Sequence, residues 1–154
     1  MAVIRVEREV RAPAARLFEK ALALEQLAGY PEWNPAFARG LRVIEETGGA
    51  GTVFEVRLEA PGAVGRAVIA AYDPPHLLAA EMTGGIFRSV EVRFAVMPIG
   101  ADCRLTLTMV YRLRYQPLAA LIDVMMLRGK MRASAVAQLE AMKQRAEFFV
   151  RLAA

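Results

Sequence analysis

The sequence predicts an α+β fold: an antiparallel sheet of about seven strands, short helices after the first strand, and one long C-terminal helix. Three observations carry this reading. The chain opens on a period-two apolar pattern over residues 2–11. Between Arg39 and Arg114 short alternating runs are separated by clusters of Gly, Pro and Asp. From Pro117 to about Arg151 only Gly129 interrupts a helical pattern.

In the first run Ile4, Val6 and Val10 alternate with Arg5, Glu7, Glu9 and Arg11, the mark of a half-buried strand. Pro13 suits a first helical turn, and Leu17, Phe18, Ala21, Leu22 and Leu24 fall near helical spacing up to about Ala28. Gly29-Tyr30-Pro31-Glu32-Trp33-Asn34-Pro35 holds two prolines and a glycine and predicts a loop or a single irregular turn. The breaks that follow delimit strands near 40–47, 52–60, 64–72, 77–83, 86–97 and 103–114. Connections this short force antiparallel pairing, because a parallel crossover needs a dozen or more residues. The last helix places Leu118, Leu121, Ile122, Met125, Gly129, Arg132, Val136 and Leu139 on one face by its 100° step, with Asp123, Lys130, Ser134, Gln138 and Arg145 opposite.

Composition narrows the function classes. The 154 residues fit one domain, 1–154, without linker, repeat or low-complexity segment. Apolar residues, counted with glycine and without tyrosine, make up about 60% of the chain against about 45–50% in ordinary soluble domains. That surplus excludes disorder, and no stretch approaches the ~18 uncharged apolar residues of a bilayer span. The net charge is +4, carried by arginines spread singly from Arg5 to Arg151 rather than in a stripe, which speaks against nucleic acid as a partner. The single cysteine, Cys103, leaves no internal disulfide, and the N-terminus lacks a secretory core, so a reducing, cytoplasmic setting is expected.

Val10-x-Ala12-Pro13 with Leu17-Phe18, the Pro31-Glu32-Trp33-Asn34-Pro35 turn, and the Gly51-Thr52-x-Phe54-x-Val56 strand entry resemble one family. Together with the element order, they make the chain, from about Ile4 to Glu147, similar to the START-like (SRPBCC, helix-grip, birch-pollen-allergen-like) superfamily, and within it to the polyketide cyclase/dehydrase and lipid-transport family. The resemblance implies a curved sheet wrapped around the C-terminal helix with a hydrophobic ligand cavity between them. It implies no particular activity, since superfamily members range from lipid carriers to cyclases.

The residues themselves point to an apolar lining. Leu105, Leu107, Met109, Tyr111 and Leu113 share one face of the last strand; Ile86, Arg88, Val90, Val92, Phe94 and Val96 share one face of the strand before it; Phe54, Val56 and Leu58 align in a third. Eight methionines, among them Met109 and Met125, suit a surface that accepts varied shapes. The expected ligand-binding set is Trp33, Phe54, Val56, Leu58, Arg88, Phe94, Leu107, Met109 and Tyr111 from turn and sheet, with Leu121, Met125, Gly129 and Arg132 from the helix. Arg88 is either an anchor for a ligand carboxylate or phosphate or a strand-end residue snorkelling to water. Arg132 either joins a structural ion pair or tethers an acidic head group. Gly129, costing about 1 kcal/mol in mid-helix, marks either close approach of the sheet or space for a ligand. Trp33 either plugs the cavity mouth and packs on the first helix or touches the ligand directly.

No catalytic constellation is expected. His76 is the only histidine and follows Asp73-Pro74-Pro75 at a turn, so metal ligands and cofactor are lacking. Only two serines, Ser89 and Ser134, occur, neither with a base at a recognised spacing, and Cys103 beside Asp102 reads as packing. Gly48-Gly49-Ala50-Gly51 lies between strands, without the helix N-terminus of a phosphate loop. The stretch 117–127 is apolar nearly all round, so Val124, Met126 and Leu127 should meet a loop, a second subunit or a membrane surface. The leading expectation is binding or transport of a hydrophobic, lipid-like small molecule. A cyclase or aromatase using the same cavity through Arg88, Tyr111 or His76, and a protein-interaction module, are the alternatives.

Overall fold

Strand β1 (Ala2–Val10) keeps the predicted alternation: Ala2, Ile4, Val6 and Val10 are buried, and the residues between them are exposed apart from half-buried Arg8. The computed structural model describes residues 1–58, 63–114, 121 and 126–153. Six further strands follow: β2 (Leu41–Glu45), β3 (Val53–Arg57), β4 (Val64–Asp73), β5 (Leu77–Gly84), β6 (Phe87–Ile99) and β7 (Asp102–Leu113). All seven form one antiparallel sheet in the order β1-β7-β6-β5-β4-β3-β2. Consecutive strands β2 to β7 are neighbours, as their short connections require. Strand β1 instead closes onto β7, from Ala2 opposite Tyr111 to Val10 opposite Cys103, leaving β1 and β2 at the margins.

The β5–β6 hairpin depends on Gly84, whose φ is +148° and whose absent Cβ would stand 2.6 Å from the Val64 carbonyl oxygen. Any side chain there would collide with the neighbouring strand. Just beyond, β6 carries a bulge: Phe87 opposes Leu113 and Ser89 opposes Arg112, with Arg88 between them unpaired. The extra residue reverses the alternation. Phe87 turns inward onto Tyr111, ring centroids 6.1 Å apart, while Ile86 and Arg88 are exposed. The expectation that Arg88 shares the face of Val90 and Phe94 is corrected by that bulge.

The predicted helix from Pro13 to about Ala28 is divided into α1 (Ala14–Leu17), a π turn (Phe18–Leu22) and a 3-10 segment (Leu24–Gly29), followed by α2 (Tyr30–Trp33) and a 3-10 turn (Pro35–Phe37). The break falls at Ala23, which is extended with ψ 144°. On one straight helix Leu22, Phe18, Ala21, Leu17, Leu24 and Leu27 would spread over about 220° of the circumference. The break turns the two halves so that all six are buried.

The C-terminal helix α3 (Arg128–Ala153) lies on the sheet through Ala135, Gln138, Leu139, Met142 and Ala146, all buried. Their spacing of three and four residues defines a single stripe. Gly129 and Arg132 lie about 120° and 60° from its centre and are exposed, and nothing approaches the Gly129 Cβ position within 4 Å. The face expected from the apolar stretch 118–127 is therefore rotated in α3: Leu139 stays on the packed stripe and Gln138 joins it, whereas Arg132 lies on its exposed flank and Gly129 faces away. Of the predicted helix upstream, only Leu121, Met126 and Leu127 are among the described residues. Helix α3 packs chiefly on β1 and on the helical segments between β1 and β2, and touches β7 more lightly.

Candidate functional site

The inner face of the sheet is apolar apart from Arg8 on β1 and the tyrosine hydroxyls, but its burial is uneven. Cys103, Leu105, Leu107 and Met109 of β7, where α3 packs, are sealed, as are Phe54, Val56, Ile69, Leu78 and Phe94 further along. In contrast Leu41, Val43, Ala80, Met82, Phe87 and Val92 of the same face are only partly buried against the core, and so are Leu127 and Met131 at the start of the helix. The helix packs through its Ala135–Ala146 stripe, and Ala80, Met82, Phe87 and Val92 are the partly exposed part of the apolar inner face. Gly65 keeps part of this surface low, because a Cβ there would come within 2.9 Å of the Met82 sulfur. A separate depression of about 550 Å³, lined by Gly40, Leu41, Arg42, Glu55, Arg57 and Val64, lies at the β2 margin, where the Arg42–Glu55 ion pair faces outward. It takes in the partly buried Leu41 of the inner face together with the charged side chains of Arg42, Glu55 and Arg57.

Between sheet and helix the turn Tyr30–Phe37 is tightly built. Tyr30 is buried, and its hydroxyl donates to the Ala21 carbonyl oxygen at 2.7 Å. Burial, with the nearby Tyr72 phenol adding to it, pushes its ionisation well above the ordinary tyrosine range. Trp33 stands edge-on to Tyr30 at 5.1 Å, and the Arg145 guanidinium covers its ring at 4.8 Å. Arg145 is itself held, donating from Nε to the Lys20 carbonyl oxygen at 2.8 Å and from a terminal nitrogen to Gln26 Oε1 at 3.0 Å. Asn34 is 1% exposed, and its Oδ1 accepts from the Ala36 N–H at 3.1 Å. Neither the Trp33 Nε1–H nor the Asn34 Nδ2 has a hydrogen-bond partner among the described residues.

Among the residues named from the sequence, Phe54, Val56, Phe94, Leu107, Met109 and Tyr111 come together on the inner face. Leu58 is partly buried beside the Gly84-Gly85 hairpin, its Cδ1 3.2 Å from where a Gly85 Cβ would stand. Trp33 is partly buried against the core at the turn. Arg88, Gly129 and Arg132 are not brought to this surface. Leu121 and Met126 are exposed, at 58% and 61%, Leu127 packs partly on the core, and Met125 and Val124 lie outside the described residues. His76 is exposed, its N–H donating to the Asp73 carbonyl oxygen in a turn.

Sequence reasoning passes over Met82 in the lining, Arg8 as an inner-face charge, and Asn34, while it places Val92 on the lining face but leaves it out of the expected binding set. Alternation within β1 does place Arg8 on the inner side, opposite Leu105. A signal for Asn34 was present too, since Asn directly before Pro35 is a common helix-start residue whose side-chain oxygen caps. Chemically the assembly offers apolar area, the inner-face phenols Tyr72 and Tyr111, and donors at the turn, with no cluster of metal-ligating side chains among the described residues.

A family model described as polyketide cyclase/dehydrase and lipid transport matches residues 1–147. No curated relative matches the sequence. Among solved structures, the Zhui aromatase/cyclase of Streptomyces sp. R1128 superposes with a TM-score of 0.80 at 22% identity, covering 99% of this chain and 97% of that one. Norcoclaurine synthase of Thalictrum flavum gives 0.71 at 21% identity over 93% and 91% of the two chains. A START superfamily protein of Mycobacterium smegmatis gives 0.64 at 18% identity over 99% of each. At such identities the likeness is one of fold, and that fold is the helix-grip architecture expected from the sequence.

Proposed function

The chain belongs to the polyketide cyclase/dehydrase and lipid-transport family, and from that premise we propose that it binds an apolar, lipid-like small molecule, without covalent chemistry, in the cleft between the sheet and α3. The observation that carries this reading is the partial exposure of Ala80, Met82, Phe87 and Val92 on the apolar inner face, beside the sealed Leu78, Phe94, Leu107 and Met109. A bound apolar body removes that surface from water, worth roughly 25 cal/mol per Å². A reducing, cytoplasmic setting is consistent with the free, buried Cys103.

An aromatase or cyclase reading has one support, the 0.80 superposition on the Zhui aromatase/cyclase. The described inner face supplies little for proton transfer: Arg8 is engaged by Glu140, Arg88 and His76 are outside, the Tyr72 hydroxyl accepts from the Leu24 N–H, and Tyr111 lies opposite Val90. The carrier reading is tested by native mass spectrometry with lipid extraction of protein from its own host, alongside Val92→Trp. A co-purifying apolar molecule that the variant no longer retains supports the carrier. Turnover of a poly-β-ketone, lost in Tyr111→Phe, would favour the enzyme.

A further inference from the structure

We propose that the Met82 side chain is a displaceable plug, seated in a hollow over Gly65 that the apolar end of the bound molecule enters by pushing the thioether aside. The Gly65–Met82 pair thereby sets how far the ligand reaches along the inner face. This rests on the cleft-binding reading above and deepens it.

The register places Met82 in one cross-strand row of the inner face, with Phe54, Ala67, Val90 and Tyr111. Those four are sealed, and Met82 is only partly buried. Its side chain runs from that row towards Gly65 on the neighbouring strand β4, with Cγ 3.3 Å and Sδ 2.9 Å from where a Gly65 Cβ would stand. Leu58 Cδ2 bounds the same hollow at 3.5 Å. Gly65 does not adopt a positive φ, so the backbone does not require glycine there. A glycine inside a strand gives up packing, and what it provides at this position is the space that the thioether fills. The rest of the wall is stiff. Val56, Ile69, Val90 and Val92 are β-branched with little χ1 freedom. The floor is fixed as well, since a Gly84 Cβ would stand 2.7 Å from the Gly65 Cα. Methionine is unbranched and adapts its rotamer at low cost, and the exposed side of Met82 leaves it room to swing off its seat. The dispersion contacts that it gives up over Gly65 are replaced by those of incoming methylene groups on the same surface.

Binding of the straight-chain alcohols from 1-pentanol to 1-decanol, read by titration of ¹⁵N-labelled protein, tests the pair. In the wild type, affinity is expected to rise about fourfold per methylene until the chain meets Met82, and to level off beyond. Met82→Ala removes the thioether arm and should move that break outward by about two or three carbons. The variant should then bind 1-decanol about tenfold more tightly than the wild type, with 1-pentanol changed by less than about twofold. Gly65→Ala adds a methyl that meets the Met82 sulfur first, so it should lift the thioether into the cleft and move the break to shorter chains. Adding Met82→Ala to Gly65→Ala should undo that shortening. Circular dichroism checks the fold of each variant. If the alcohols bind and the profiles of the wild type and both single variants coincide, the plug is overturned while the cleft reading stands. Failure of every alcohol to bind the wild type would overturn the cleft reading and the plug with it.

Discussion

Arg8 Nε donates to Glu140 Oε1 at 2.7 Å, joining the first strand of the sheet to its last helix across 132 residues of sequence. One helical repeat of seven further on, Glu147 Oε2 accepts from the Arg11 N–H at 2.9 Å. Together the two contacts tie the C-terminal half of α3 to β1. They explain how a cation stands on an inner-face register position without an unpaired charge.

The Arg8–Glu140 pair is one-third to two-fifths exposed, so it should contribute modestly despite its short distance. A double-mutant cycle of Arg8→Met and Glu140→Gln, read by urea denaturation, is expected to give a coupling of about 0.5–1 kcal/mol. Raising the salt to 1 M should reduce it. A coupling above about 2 kcal/mol would show that the pair is far better shielded than its exposure indicates.

Gly129 and Met142 should respond in opposite directions. Gly129 is exposed, helical and without neighbours at its Cβ position, so Gly129→Ala is expected to raise stability by up to about 1 kcal/mol. Met142 is sealed beneath the helix, and Met142→Ala should cost about 2–5 kcal/mol. Thermal denaturation of the two variants checks both. Destabilisation by Gly129→Ala would mean that the helix start packs more closely than its exposure shows.

Burial pushes the Cys103 thiol up to about 11, with Asp102 adding to the shift. The folded value lies above the unfolded one, so the contribution of the neutral thiol is fully present below about 9 and is lost as pH rises through about 11. Denaturation midpoints of the wild type and Cys103→Ala, measured from pH 8 to 11, should therefore converge as pH rises. Alkylation by iodoacetamide at pH 8 should be slow in the folded protein and fast in urea. A gap independent of pH would remove the titration from the account.

The sequence by itself determined the strand count, the antiparallel connections, the C-terminal helix and most of the apolar lining. Those features depend on local periods and short loops, which a linear pattern records. Phe54, Phe94, Leu107, Met109 and Tyr111 were legible because they sit in uninterrupted alternation. The tertiary structure decided what local periodicity does not contain. A single bulged residue placed Arg88 outside, and the break at Ala23 folded a predicted helix into three turns so that both halves could bury their leucines. The phase of α3 on the sheet was likewise a tertiary outcome, because its fully buried stripe runs from Ala135 to Ala146 and is tied to β1 and Arg11 by Glu140 and Glu147. The unpaired donors of Trp33 and Asn34 belong to the same class: whether a polar group finds a partner depends on what the fold brings to it, and only the packed molecule answers that.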